Sequence, residues 1–309
     1  MVDLSQLNPR QKEAAKYIEG PLLVLAGAGS GKTSVITRKI AYLIGVCGVK
    51  SHHIAAVTFT NKAAREMKER VMQLTGRGGA RGLIVSTFHN LGLNIIKAEL
   101  KSAGYKSGFS ILDQDDCKSI LRDIMHREHG DDGDMLDMVQ NGVSSLKNDL
   151  VTPDEAIARV TTPQEQLIAQ TYSVYQRMLK AYNAVDFDDL IMVPTLLFRD
   201  HEDVRARWQR KIRYLLVDEY QDTNTSQYEL VKYLVGNRTG LTVVGDDDQS
   251  IYAWRGARPE NLSLLKKDFP TLKLIKLEQN YRSTGLILNA ANIVIDNNPH
   301  EFEKKLWSD

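Results

Sequence analysis

The stretch AGAGSGKT, Ala26 to Thr33, directly follows the apolar run PLLVL and opens a helical pattern. Glycines at 27, 29 and 31 leave room for backbone N–H groups to wrap a polyphosphate. Lys32 would reach the β- and γ-phosphates, and the Thr33 hydroxyl would ligate Mg²⁺. The stretch departs from the usual phosphate-loop pattern only at its first position, where Ala26 stands in place of Gly. An ordinary strand-to-helix turn accounts for the glycines, but not for Lys32-Thr33 at the opening of a helix.

The rest of the chain frames that loop. Short β-branched runs alternate with helical patterns: PLLVLA, then GKTSVITRKIAYLIG with Ile36, Ile40, Leu43 and Ile44 on one face. IAAVTF and GLIVST read as two more strands, separated by the helix NKAAREMKERVMQL with Asn61 placed to cap it. From about Phe88 to Trp208 strand-like runs vanish and helical periodicity dominates, after which RYLLVDE, LTVVGD and LKLIKLE restore the alternation. The pattern predicts an α/β fold: a parallel sheet with helices on both faces, interrupted by an all-helical insertion. A length of 309 residues favours two domains over one core.

Charge and cysteine usage exclude more than they assign. Forty basic and 39 acidic residues leave a net charge of +1, which by itself names no partner. The segment 61–81 is locally basic, with Lys62, Arg65, Lys68, Arg70, Arg77 and Arg81 against Glu66 and Glu69. Such a helix suits phosphates or simply a solvated face. Segment 113–137, with nine Asp/Glu against three Lys/Arg, reads as an exposed helical surface. Cys47 and Cys117 form no CxxC pair, which argues against a disulfide framework and suits a reducing cytosol. His126 and His129 lack a cysteine partner and read as solvated, and no run suggests a signal peptide or a membrane span.

Two further strand ends carry chemistry. In LLVDEYQD, Asp218 follows an apolar strand, where it would hold Mg²⁺ through water, and Glu219 would deprotonate the attacking water. Parallel-sheet ligands gather at the carboxyl ends of strands, which turns the phosphate loop from a binding signal into a hydrolytic one. In VVGDDDQSIYAWRGA, Gln249 could hydrogen-bond the γ-phosphate and sense it. Tyr252, Trp254 and Arg255 follow, the ingredients of a base-stacking platform.

Taken together, LNPRQKEA, AGAGSGKT, AVTFTNKAAREMKER, STFHNLGL, DFDDL, LLVDEYQDTNTSQYELV, VVGDDDQSIYAWRGA and LEQNYRST resemble, in order, the superfamily 1 DNA helicases of the Rep/UvrD/PcrA group. The resemblance covers essentially the whole chain. It implies a RecA-like ATP-binding domain from residues 1–87 and 209–277, a helical domain inserted at 88–208, and the opening of a second RecA-like domain at 278–309. It assigns ATP to Gln11, which would read the adenine edge, to Ala26, Gly27, Ala28, Gly29, Ser30, Gly31, Lys32, Thr33 and Ser34, and to Tyr281 and Arg282. Tyr281 would stack on the adenine. Arg282 would act as an arginine finger beside Lys32, Glu219 and Gln249, although the sequence alone does not exclude a surface charge there.

For single-stranded DNA the resemblance implicates Thr58, Phe59, Asn61, Thr87, Phe88 and His89, with Tyr252, Trp254 and Arg255. Ser34 stands where relatives often carry an arginine, which would weaken nucleotide binding without abolishing it. The implied activity is ATP-dependent 3′→5′ translocation and unwinding, with ATP and Mg²⁺ as cofactors. Substrates would be single strands and 3′-tailed or forked duplexes, and partners would be replication or repair proteins in a cytoplasmic, nucleoid-associated setting. The alternative for residues 1–309 alone is an ATP- and single-strand-binding module with weak ATPase and no unwinding. A phosphate-loop kinase or ATPase without nucleic acid is a third reading, and the aromatic cluster argues against it.

Overall fold

The structure, a computed structural model, describes residues 2–129, 133–238, 240–298 and 302–308; the side chains of Arg77, Arg127, Glu128, His129 and Arg255 lie outside the described set. The chain divides into two compact units, one of residues 1–88, 206–223 and 231–309, the other of residues 89–205 and 224–230.

The first unit is built on a six-stranded sheet. Its strands are β1 (Leu22–Ala26), β2 (Ile54–Thr58), β3 (Ile84–Thr87), β6 (Tyr214–Val217), β7 (Leu241–Gly245) and β8 (Lys273–Leu277), in the order β3-β2-β6-β7-β1-β8. Every pairing is parallel. Parallel strands covered on both sides read as near-continuous apolar runs, as LLVLA and YLLV do. One face presents Leu22, Val24, Ala26, Ile54, Ala56, Tyr214, Leu216, Val244, Ile275 and Leu277 to the helices Pro9–Lys16, Lys32–Gly45 and Asn61–Gly79. Those helices contribute Ala14, Val35, Ile36, Ile40, Leu43, Met67 and Val71 to the same core. The alternate residues Leu23, Leu25, Ala55, Val57, Leu215, Val217 and Val243 are buried as well.

The sheet order places β1 between β7 and β8, while the chain leaves β1 for β2 three places away. The order reverses about β1, and in open α/β sheets that is where ligands bind, beyond the carboxyl ends of the strands. Residues 278–308 lie within this first unit: Trp307 N–H donates to Glu278 O at 3.1 Å and Asn280 N–H to Trp307 O at 2.7 Å.

The second unit is helical around a core of Leu121, Met125, Val139, Val143, Tyr172, Tyr175 and Leu179. It is not wholly helical: β4 (Ser110–Ile111) pairs in parallel with β5 (Ala184–Val185), a ribbon of two residues a side that is too short to show a period in sequence. In the acidic segment 113–137 the described carboxylates Asp113, Asp115, Asp116, Asp123, Asp134 and Asp137 are exposed, while Cys117, Leu121, Ile124, Met125 and Leu136 are buried; Glu128, Asp131 and Asp132 lie outside the described set. At the centre sits Lys147, fully buried, with Nζ 2.7 Å from Asp186 Oδ2 and 2.9 Å from Asp189 Oδ1. Residues 224–230 join this unit because Ser226 Oγ donates to Lys147 O at 2.8 Å and Asn224 Nδ2 to Asn148 Oδ1 at 2.7 Å.

One local expectation is corrected. The helix after β2 is capped by Thr60, whose backbone is extended and whose Oγ1 accepts from Ala63 N–H at 3.1 Å; Asn61 is already the first helical residue. No helix among the described residues is long and apolar enough to cross a membrane.

Candidate nucleotide site and nucleic-acid interface

β1 ends at Ala26 and the loop that follows enters the helix at Lys32. Gly29 and Gly31 adopt φ of 71° and 85°, a left-handed backbone that side-chain-bearing residues rarely take. The helix Lys32–Gly45 starts on Gly31 with no capping side chain, so its first amides are free to meet an anion at the positive end of the helix dipole. Side chains press on the loop from elsewhere in the unit. A Cβ at Gly29 would come within 2.6 Å of Asn280 Nδ2, one at Gly31 within 2.6 Å of Gln11 Nε2, and one at Gly27 within 2.2 Å of Leu306 Cδ2. Ser30 is buried, its Oγ donating to Gly27 O at 2.7 Å. Ser34 accepts a contact from the Arg38 guanidinium, which also reaches Gln6 Oε1 at 3.2 Å. A cation therefore stands one turn beyond the position where the sequence lacks one.

Three strand ends converge. Lys32 Nζ donates to Glu219 Oε2 at 2.9 Å and to Gln249 Oε1 at 3.3 Å. Glu219 follows β6 in a left-handed conformation, φ 51°, a strained backbone for a residue with a side chain. Asp218 is buried, its Oδ1 accepting from Glu219 N–H at 3.0 Å. Burial, then the neighbouring Glu219 charge, pushes the Asp218 carboxyl up to about 6, and the same two causes raise Asp222 to about 6. The donor set suits the expected ion: the Thr33 hydroxyl and the Asp218 carboxylate are hard oxygen ligands of the kind Mg²⁺ takes.

Gln11 is buried and engaged at both ends of its amide, with Nε2 donating to Ser30 O at 2.8 Å and Oε1 accepting from Asn8 N–H at 3.0 Å. It thus lies against the loop, and each end of its amide has capacity for one more hydrogen bond. Tyr281 is exposed beside it, accepting from Asn8 Nδ2 at 2.8 Å and donating from its backbone N–H to Gly29 O at 3.0 Å. Arg282 is exposed, its Cβ 2.8 Å from where a Cβ at Gly29 would stand.

The residues implicated in single-strand binding separate by burial. Trp254 is 74% exposed and Tyr252 is 39% exposed, with ring centroids 6.5 Å apart and planes tilted by 51°. Phe59 is half-buried and meets the buried Phe88 edge-on at 5.6 Å; Asn61 is exposed. Thr58 and Thr87 are buried, and Thr58 Oγ1 donates to Thr60 O at 3.0 Å. Phe88, Thr58 and Thr87 therefore shape the surface from beneath. His89, in the second unit, is half-buried beside the Phe187 ring at 6.3 Å, and burial holds its pKa below the usual histidine value.

Four residues escaped the sequence reading. Asn280 is buried beside the loop, its Nδ2 donating to Ala28 O and its Oδ1 accepting from Arg282 N–H at 2.8 Å and Ser283 N–H at 2.7 Å. Gln221 and Asp246 hydrogen-bond to one another beneath Glu219 and Gln249. Lys304 places its ammonium among Asp246, Asp247 and Asp248. That acid trio has ligand atoms within 4.8 Å of one another, and the cation it holds is supplied by the chain itself. Asn280, Gln221 and Asp246 lie within quoted motifs and Lys304 outside them, and no spacing rule flags any of the four.

A parallel sheet with a phosphate loop after β1 and acids after β6 defines a phosphate-loop α/β core of the RecA-like kind. The chain belongs to the UvrD/REP helicase N-terminal domain family, which it matches over residues 7–270. It is 61% identical over 304 residues to the ATP-dependent DNA helicase Rep of Escherichia coli (strain K12), covering 98% of this chain and 45% of the relative. It is 47% identical over 306 residues to the ATP-dependent DNA helicase PcrA of Staphylococcus aureus (strain Mu50 / ATCC 700699), covering 99% of this chain and 42% of the relative. The chain spans less than half the length of these relatives.

Proposed function

We propose that this chain is the ATP- and single-strand-binding motor portion of a DNA helicase that moves 3′→5′ along single strands. The observation that carries the reading is the meeting of Lys32, Glu219 and Gln249 from three adjacent loops, with Tyr252 and Trp254 exposed on the loop that bears Gln249. Gln249 and the stacking rings share one short segment, which gives ATP turnover a route to a nucleic acid.

In this reading the loop amides and Lys32 hold the triphosphate, and Glu219 takes the proton of the attacking water. Gln249 hydrogen-bonds the γ-phosphate, and Arg282 neutralises charge as it develops. Thr33 and Asp218 would hold Mg²⁺, which would supply charge neutralisation to the phosphates. Tyr252, Trp254 and Phe59 offer sequence-tolerant stacking faces to bases, and exposed Lys62, Arg65, Lys68 and Arg70 offer cations to phosphates. Substrates would be single strands and 3′-tailed or forked duplexes, in replication or repair, in the cytoplasm.

A second reading, for residues 1–309 taken alone, is favoured by the helix Gly285–Ile295. It exposes Leu286, Ile287, Ile293 and Val294, an apolar face of the kind a further domain covers. We read residues 278–309 as the opening of a second RecA-like domain, so residues 1–309 alone would bind ATP and DNA with weak ATPase. ATPase rates with and without single-stranded DNA, and strand displacement on a 3′-tailed duplex, test both readings. Stimulation and unwinding by the full-length protein support the first. Robust unwinding by residues 1–309 removes the second, and ATPase indifferent to DNA in the full-length protein removes the first.

A further inference from the structure

Beneath the three converging side chains the hydrogen bonds close into a ring. Lys32 Nζ donates to Glu219 Oε2 at 2.9 Å and to Gln249 Oε1 at 3.3 Å. Gln249 Nε2 donates to Asp246 Oδ2. The Asp246 backbone N–H donates to Gln221 Oε1 at 3.0 Å, and Gln221 Nε2 returns to Glu219 Oε2 at 2.9 Å. Lys32 touches both halves of the ring, but a γ-phosphate competes for its ammonium. Among the described residues, the Gln221 amide gives Glu219 a connection to the 246–249 turn that does not pass through Lys32.

The chemistry of that amide is specific to its place. Gln221 is 2% exposed, in the short turn after β6, so neither end of it can turn to water. One end must donate, because it faces a carboxylate oxygen, and the other must accept, because it faces a backbone N–H. A glutamate there would oppose the Glu219 carboxylate, and an apolar side chain would leave the Asp246 N–H unsatisfied. The end of β7 is shaped for it: a Cβ at Gly245 would stand 2.9 Å from Gln221 Oε1 and 3.4 Å from Gln221 N.

Asp246 in turn opens the segment that carries the aromatic pair. Its Oδ1 accepts from Asp248 N–H at 3.2 Å, its carbonyl accepts from Gln249 N–H at 3.0 Å, and Tyr252 and Trp254 follow within eight residues. A base stacked on that pair and displacing the segment would shift the Asp246 amide, and the Gln221 amide bonds both to that N–H and to the Glu219 carboxylate.

We propose that Gln221 is the positioning residue through which the DNA-contacting loop sets the orientation of Glu219. The inference rests on the functional reading above and adds the route by which DNA would stimulate hydrolysis.

The test is Gln221→Met, which keeps the length and removes both polar ends, made in the full-length protein alongside Gly245→Ala, whose added Cβ displaces the amide without altering it. Steady-state ATPase with and without saturating oligo-dT gives kcat, KM for ATP and the stimulation ratio. Fluorescent-nucleotide titration and oligo-dT anisotropy give the two affinities. The expected result is a stimulation ratio lowered at least tenfold in both variants, by way of kcat, with KM for ATP and both affinities within about threefold of the parent. A glutamine that merely stabilised the fold would instead lower rates with and without DNA alike and leave the ratio intact; that outcome overturns the proposal. Should Gln221→Met not fold, Gly245→Ala decides by the same ratio. A parent protein whose ATPase ignores oligo-dT overturns the functional reading and this inference together, whereas a stimulated parent with an equally stimulated variant overturns this inference alone.

Discussion

Lys32 Nζ and Glu219 Oε2 stand 2.9 Å apart, an ion pair joining the phosphate loop to the acid that follows β6. The pair holds Glu219 at the loop, but it also sets two anions in competition for one ammonium, since a γ-phosphate needs Lys32 as well. Neutralising the acid without changing its shape separates the two roles. Glu219→Gln is expected to lower kcat for ATP by about 10²–10⁴, the range of a general base, while nucleotide affinity stays equal or improves because Lys32 is released. Steady-state ATPase and fluorescent-nucleotide titration check both halves. A rate within tenfold of the parent would falsify the assignment of Glu219 as base.

Trp254 presents most of its ring to solvent, with Tyr252 tilted beside it. An indole packed in a core would gain burial; one held open on a loop gains energy only when something stacks on it. Trp254→Ala is expected to weaken single-strand binding by about 1–3 kcal/mol, the measured worth of one base–aromatic stack. Anisotropy with homopolymers of each base should show the loss across all four, because stacking discriminates poorly. Unchanged affinity would mean the ring meets a protein surface instead of a base.

Much of this architecture was legible because it repeats. The β-branched runs at β1, β2, β6 and β7 and the 3.6-residue apolar period of the helix Lys32–Gly45 are local signals, and local signals survive in sequence. The candidate site was legible where a motif fixes spacing, as for Lys32 after the glycines. What stayed hidden depends on contacts between distant positions. Asn280 bonds to Ala28, Gln221 to Asp246, and Lys147 to Asp186 and Asp189; each partner is chosen by the fold, not by spacing. The cap at Thr60 instead of Asn61 shows the other limit. Both residues are good caps, and only the extended backbone at Thr60 decides between them.

The Lys147 cluster gives a stability prediction for the second unit. Its ammonium is fully buried between Asp186 and Asp189, with Tyr175 OH adding a bond to Asp186 Oδ2 at 2.9 Å. Replacing the cation with an apolar side chain leaves two carboxyls in a dry interior, and breaking a buried pair in this way costs about 3–5 kcal/mol. Lys147→Met should lower the urea midpoint of the helical unit accordingly. The joint variant Lys147→Met with Asp186→Asn and Asp189→Asn should recover part of the loss, since no unpaired charge remains.

Lys39 yields the pH dependence. Its Nζ is buried in the first unit, donating to Ala14 O at 2.9 Å and to Tyr17 O at the end of the helix that carries Gln11. Burial pulls its pKa down from the usual lysine range to about 7, with a small opposing pull from Cys47. Below pH 7 the folded and unfolded chains both hold the proton and the full penalty of the buried charge applies. Between pH 7 and about 10.4 the unfolded chain keeps a proton that the folded chain has released, so stability rises with pH by at most about 1.4 kcal/mol per unit. Lys39→Met removes this contribution and leaves the rest of the titration in place. Urea unfolding at pH 7 and pH 9 is therefore expected to show the parent gaining about 1–2 kcal/mol relative to the variant as pH rises. A parent that gains nothing over the variant would show that the two carbonyls and the helix C-terminus keep Lys39 protonated throughout, as hydrogen bonds to the charged form do when they outweigh burial.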